Sequence, residues 1–219
     1  MTTIDAGTET SQRTSAHHAA EAEAVAAAPV GDPSMIGLPC FIAGSVALGL
    51  ALVGYVSAAS VGAPLAIIVA ATGLGLLIAA IWAATLGQSA VASVFGVFAG
   101  FWLSYALLVL GLTHSWFGVA TADVVHAQGL FLISWIVVIG MLTLATMRLP
   151  MAYTLLLALV EVALILVLIG TLQGSASVLK IAGIVVFLFA AVGVYLFFSS
   201  ASQATGGDAL PLGPPVIHG

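Results

Sequence analysis

The sequence predicts an all-α polytopic membrane protein with six transmembrane helices, and three observations carry that prediction. Of its 219 residues, 62% are hydrophobic and 5% are charged, against about 25% charged in soluble proteins. A chain of this size cannot hide so much apolar surface from water. Six continuous apolar stretches follow one another, each near the ~20 residues that cross ~30 Å of hydrocarbon. None alternates apolar with polar residues as a barrel strand does, and a helix satisfies its own backbone in lipid. A soluble enzyme, a nucleic-acid binder and a disordered protein are thereby excluded.

Residues 1–31 precede the first stretch and are rich in Ala, Thr, Ser and Glu without apolar periodicity. They lack the basic start and early apolar core of a secretory signal and are expected to form a disordered cytoplasmic tail. His17 and His18 are adjacent there, a pair that solvates more often than it binds metal. The six spans are expected at Leu38–Val56, Pro64–Ala84, Ser89–Leu112, Ala127–Thr146, Ala152–Leu172 and Val178–Phe198, within a transmembrane domain 32–199. Pro64, Gly87, the Arg148–Pro150 pair and Gln173–Ser177 punctuate the breaks, and Thr113–His126 is the longest polar connection. Residues 200–219 form a C-terminal tail with three prolines between Gly206 and Gly219.

The charges are unevenly placed. Six of the eleven (Asp5, Glu9, Arg13, Glu21, Glu23 and Asp32) lie in the first 32 residues, and only Asp123, Arg148, Glu161 and Lys180 lie between Pro33 and Gly207. Three basic residues in all make no polybasic patch for nucleic acid or anionic lipid. An even span count puts both termini on one side. If that side is cytoplasmic, Arg13 and Arg148 face inward and Lys180 outward, in the sense of the positive-inside rule. The single Cys40 has no intrachain disulfide partner.

The chain enters its first span as Asp32-Pro33-Ser34-Met35-Ile36-Gly37-Leu38-Pro39-Cys40-Phe41. Two prolines and a glycine in seven residues predict an interrupted helix. Broken backbone at membrane depth often lines a substrate path. The plainer alternative is an ordinary helix start capped by Asp32 or Ser34.

At this motif the chain resembles the acetate uptake transporter family, which includes bacterial succinate–acetate permeases. That family opens its first helix with Asn-Pro-Ala-Pro-Leu-Gly-Leu. Pro33, Gly37 and Leu38 match, Ile36 is a conservative change, and Asp32, Ser34 and Met35 depart. Gly100-Phe101-Trp102-Leu103, Trp135, Arg148, Tyr195 and Leu210-Pro211-Leu212-Gly213 follow at similar spacing, so the resemblance runs from about Asp32 to Gly213. Where the family carries a Glu and then Gly-Asn-Thr-Phe-Gly after its second helix, this chain has Ala83-Ala84-Thr85-Leu86-Gly87-Gln88-Ser89-Ala90-Val91 and retains only Gly87.

The resemblance implies a ring-shaped homohexamer in which each protomer holds its own pore, narrowed by apolar side chains. Carried over by position, that constriction is Phe41, Phe98 and Val160. An apolar neck can gate by dewetting; the alternative is that both phenylalanines pack or face lipid. Gly96 and Gly100 bracket Phe98 as a small-xxx-small pair, a pattern that lets a neighbouring helix approach. At 100° per residue Phe98 points away from that face.

Glu161 lies midway along the fifth span, where an ionised carboxylate is costly. It must face a cavity, find a donor or stay protonated. It is the candidate for coupling protons to permeation, with a structural hydrogen bond as the alternative. His114, Asp123 and His126 mark the long connection, as a vestibule or a plain surface loop. No metal or cofactor is expected, and no HExxH or phosphate loop points to an enzyme.

The expected function is therefore a channel or transporter for small monocarboxylates such as acetate, with succinate as a further substrate, in a plasma or inner membrane with cytoplasmic termini. Its expected partners are the bilayer, a small carboxylate and further copies of itself. Two alternatives are a channel for neutral solutes (urea, ammonia or undissociated acid), favoured by the scarcity of cations, and a non-transporting scaffold or accessory subunit, favoured by the lost polar segment around Gly87.

Overall fold

The structure, a computed structural model, describes residues 31–217, apart from the side chain of Ala58. All of the predicted tail except Gly31, including His17 and His18, lies outside these residues. Within them are six helices long and apolar enough to cross a membrane. They are α1 (Ser34–Val53), α2 (Leu65–Thr85), α3 (Ser89–Thr113), α4 (Val124–Ala145), α5 (Met151–Gln173) and α6 (Ala176–Ala204).

Local chemistry sets the helix ends. Gly54 (φ 88°) and Gly174 (φ 62°) close α1 and α5 in the left-handed conformation, which costs a residue without Cβ nothing. Pro64 and Pro150 precede α2 and α5, where a missing donor does no harm. Ser175 caps α6, its Oγ accepting from the Val178 N–H at 3.4 Å.

Of the two readings of the opening motif, the structure takes the ordinary helix start: α1 is continuous from Ser34 to Val53, with Pro39 inside it. Pro33 occupies the cap position and owes no donor, while Asp32 Oδ1 accepts from the Ser34 N–H at 2.8 Å. Pro39 forfeits only the bond to the Met35 carbonyl, early in the helix. Gly37 is required for packing, since a Cβ there would run into the Phe95 ring of α3. The long connection is also shorter than expected. A 3₁₀ turn at Thr121–Asp123 leads straight into α4, so His126 is helical.

Within α2, Ile68–Gly73 is a π-helical segment. It sets the fully buried Thr72 against Gly44 of α1, while Gly73 abuts Leu103 of α3. Hydroxyls elsewhere turn back on their own helices: Ser45 donates to Phe41 O (2.7 Å), Thr143 to Ile139 O (2.8 Å) and Ser134 to Leu130 O (2.8 Å). Such bonds satisfy a hydroxyl where no water is available.

The helices close into a ring. α1 packs on α2 and α6, α6 on α5, α5 on α4 and α3 on α2. The α3–α4 seam is closed by aromatics, with Phe101 meeting Trp135 at 5.4 Å between ring centroids and Phe131 at 5.8 Å. Outward-facing positions such as Ile78, Ile81, Leu130, Val137, Met141 and Leu144 are exposed and apolar, as bilayer-facing side chains must be.

The helix α6 continues to Ala204, past the expected domain edge at residue 199, and the chain then folds back as a strap. Tyr195 Oη donates to Pro211 O (2.8 Å), and the Leu210 N–H donates to Ser199 Oγ (3.2 Å). Ala152 N–H donates to Leu212 O (3.0 Å) and Ile217 N–H to Met147 O (3.0 Å). The strap thus supplies acceptors to the first turn of α5 and pins the α4–α5 connection.

The seam between α1 and α6 predicts a mutational effect. A Cβ on Gly183 of α6 would lie 2.8 Å from Val53 Cγ1 and 3.1 Å from the Gly49 carbonyl of α1, whereas one on Gly62 would meet nothing closer than 3.9 Å. Gly183→Val is expected to cost about 1–3 kcal/mol through overpacking, read as a lower thermal midpoint in detergent. Gly62→Ala is the control and should leave it unchanged.

Candidate functional site

Three phenylalanines meet inside the ring. Phe41 of α1 lies edge-on to Phe98 of α3, with centroids 5.1 Å apart and planes at 77°. Phe189 of α6 lies 5.7 Å from Phe41 on its other side. All are nearly sealed from solvent, at 4, 3 and 3% exposure respectively. Their helices come from three different sectors of the ring, so the rings fill its centre.

A cavity lies on each side of this cluster. The larger, of about 210 Å³, is lined by Ser34, Leu38, Val91, Phe95, Tyr153 and Leu157, among others, together with Phe41 and Phe98. These residues come from the starts of α1, α3 and α5, so it lies toward the end of the bundle where α1 begins. The smaller, of about 30 Å³, is lined by Trp102, Val160, Leu164 and Val186, among others, again with Phe41 and Phe98. It is large enough for a water or two but almost wholly apolar, and such cavities stay dry. The two phenyl rings are the wall the cavities share.

Among the described residues, no Asp, Glu, His, Lys or Arg lines either cavity. Arg148 lies in the 3₁₀ turn between α4 and α5, and Lys180 in the first turns of α6. Polar side chains around the larger cavity are few, namely Ser34, Thr146 and Tyr153; Thr146 Oγ1 donates to Thr143 O (2.8 Å), and Thr146 O accepts from Thr154 Oγ1 (2.9 Å).

The residues singled out in the sequence divide by location. Phe41 and Phe98 are in contact, and Val160 lines the smaller cavity beside them. From the opening motif, Ser34 and Leu38 line the larger cavity, Pro33 is buried, Gly37 sits under Phe95, and Asp32 Oδ1 accepts from the first N–H of α1. Gly96 faces Ala80 of α2 and Gly100 faces Trp135 of α4, so the two glycines serve different neighbours.

Glu161 lines neither cavity. Its carboxyl lies on the α4–α5 seam, with Oε1 3.6 Å from where a Cβ on Gly140 would stand. Its Oε2 is buried without a hydrogen-bond partner among the described residues. His114 Nδ1 lies 3.0 Å from Leu110 O, and the ring stacks on Trp116. Asp123 and His126 have no third His, Cys, Asp or Glu grouped with them among the described residues.

Sequence reasoning did not single out Phe189. The last span holds Phe187, Phe189, Phe197 and Phe198, and nothing in that run marks which one turns inward. Trp102 was noticed as half of a Phe-Trp pair but was given no role. The structure makes it 1% exposed, on the wall of the smaller cavity, with its indole Nε1 unpartnered among the described residues.

The aromatic wall should be energetically costly to remove. Phe41→Ala is expected to merge the two cavities and to destabilise the protein by about 3 kcal/mol or more. A thermal or denaturant titration in detergent beside the wild type measures this.

Comparison with known proteins agrees with this architecture. The profile of the GPR1/FUN34/yaaH family matches residues 15–207. A solved structure described as that of the bacterial acetate channel SatP superposes with a TM-score of 0.73 at 23% identity, covering 84% of this chain and 99% of the other. No curated protein sequence matches at a significant level.

Proposed function

The chain belongs to the GPR1/FUN34/yaaH family, the acetate uptake transporter family, and on that premise we propose that it is a channel for small monocarboxylates, acetate foremost and succinate as a further substrate. The family is one of transporters and channels, not of enzymes. The protein is a multi-pass membrane protein with six candidate spans.

The observation that carries the reading is the Phe41–Phe98 pair standing between two cavities inside one six-helix ring. A permeant entering from the end where α1 begins reaches the larger cavity, sheds water at the phenyl pair and passes Val160 beyond it. An apolar neck of this kind conducts when the rings part and dewets when they close. In this reading each protomer is its own pore, six assemble into a ring, and the termini face the cytoplasm across a plasma or inner membrane.

Radiolabelled acetate uptake into proteoliposomes tests the proposal, and uptake no greater than in empty vesicles overturns it. Phe98→Ala, by widening the neck, is expected to raise acetate flux severalfold and to admit larger carboxylates such as butyrate, measured in the same vesicles.

A second reading is favoured by one observation: among the described residues, no cationic side chain lines either cavity. A carboxylate would cross without a countercharge, whereas undissociated acid would not need one. The two separate by pH. At fixed total acetate, permeation of the neutral acid falls about tenfold per pH unit above the acid's own pKa, while permeation of the anion stays level.

Proton coupling is assigned to Glu161, the carboxyl at mid-span of α5. It stands next in sequence to Val160, so a change at the carboxyl bears on the cavity wall through a single shared peptide unit. Glu161→Gln is expected to abolish the acceleration of uptake by an inward proton gradient while leaving downhill acetate exchange intact. Unchanged gradient dependence removes the role.

A further inference from the structure

Where α5 and α6 meet on the outside of the ring, they leave a groove of about 630 Å³. Met151, Leu155 and Leu159 of α5, four residues apart, line one side, and Leu188 and Tyr195 of α6 line the other. Residues at such spacings share one face of a helix, so the groove runs along the helix axes. Met151, Leu155 and Leu188 are exposed, and the strap closes the end where α5 begins, through Pro211, Leu212 and Gly213. The hydrogen-bonding groups at that end are already engaged. Tyr195 Oη donates to Pro211 O (2.8 Å), the Ala152 N–H to Leu212 O (3.0 Å) and the Met151 N–H to Gly213 O (3.4 Å). A polar ligand finds little to bond there, whereas a hydrocarbon chain needs nothing but contact.

Depth and charge narrow the occupant further. Eight residues separate Met151 from Leu159, about 12 Å along the helix, against about 15 Å for one leaflet of a ~30 Å hydrocarbon core. The groove therefore reaches from the edge of the span toward the midplane, the path of one acyl chain. At its strap end stands Arg148, exposed and without an ion pair among the described residues. At most about 11 Å of chain separates its Cα from that of Met151, and the strap pins the same turn through the Ile217 N–H on Met147 O (3.0 Å).

We propose that this groove seats one acyl chain of an anionic phospholipid, whose phosphate is held by Arg148. The apolar stripe supplies most of the binding. The guanidinium supplies the choice of headgroup, since its planar fork of donors matches phosphate oxygens. One cation at the membrane surface favours an anionic headgroup about fivefold. The proposal needs the membrane location alone and is independent of the channel reading, so absence of acetate uptake leaves it standing.

The test is native mass spectrometry of the full chain released from nanodiscs of equal phosphatidylglycerol and phosphatidylcholine. Wild type is expected to retain one phospholipid per protomer, phosphatidylglycerol about fivefold over phosphatidylcholine. Ala191→Trp fills the groove from an exposed position and should release the lipid while the thermal midpoint stays put. Arg148→Gln should keep the lipid and bring the preference down to about one. Wild type without retained lipid, or lipid that survives Ala191→Trp, overturns the seat. Loss of an oligomer in place of lipid in Ala191→Trp also overturns it and gives the groove to a second copy. An unchanged preference in Arg148→Gln overturns the phosphate contact, and this comparison decides alone should Ala191→Trp not fold.

Discussion

Hydrocarbon offers a polypeptide no hydrogen-bond partner, and most of what is seen in this protein follows from meeting that condition internally. Six helices bond their own backbones. Serines and threonines donate to the carbonyls of their own helices, as Ser45 does to Phe41 O. The first turn of α5, which a helix alone leaves unsatisfied, takes acceptors from the strap through Leu212 O. Where the condition is not met the exceptions stand out. Among the described residues the buried side-chain atoms without a partner are Thr72 Oγ1, Trp102 Nε1 and Glu161 Oε2. One belongs to a π-helical turn, one to a residue that lines a cavity with its carbon atoms, and one to a seam between helices.

The interior of the ring is the second organising feature. Apolar burial gives little drive for helix association inside a membrane, so shape has to supply it. Glycines let α1 come close to α2 at Gly44 and to α6 at Gly49 and Gly183. Large aromatics then fill the space the ring encloses. Phe41, Phe98 and Phe189 are both core and partition: the contacts that stabilise the bundle also separate the two cavities. On the proposed channel reading, stability and permeation draw on the same side chains, and opening the neck means breaking aromatic packing that the fold uses.

Much of this was legible in the sequence because hydropathy over ~20 residues is a strong signal. All six spans were found, and most boundaries fell within a turn. The errors have physical causes. Two prolines and a glycine left a broken and an ordinary start of α1 both open, because the sequence does not show that Pro33 lies at the cap or that Gly37 answers to Phe95 from another helix. The six extra residues of α6 carry polar serines and Gln203, so hydropathy ends before the helix does. The depth of Glu161 could be counted along the chain, but the direction it faces could not, because α5 is apolar all round. For the same reason Phe189 could not be told from Phe187. Phe41 and Phe98 came from a family resemblance, and no periodicity would have chosen them.

The π-helical segment Ile68–Gly73 also says something about how this chain tolerates change in length. A π turn holds one residue more than the α turn it replaces. In an ordinary span, deleting one residue rotates everything beyond it by about 100° and turns the packed face outward. Here a deletion between Ile68 and Gly73 would relax the turn to α and leave Gly75, Leu76 and Ala79 on their present face. The second span thus carries a built-in slack of one residue, where insertions and deletions can accumulate without unmaking the ring.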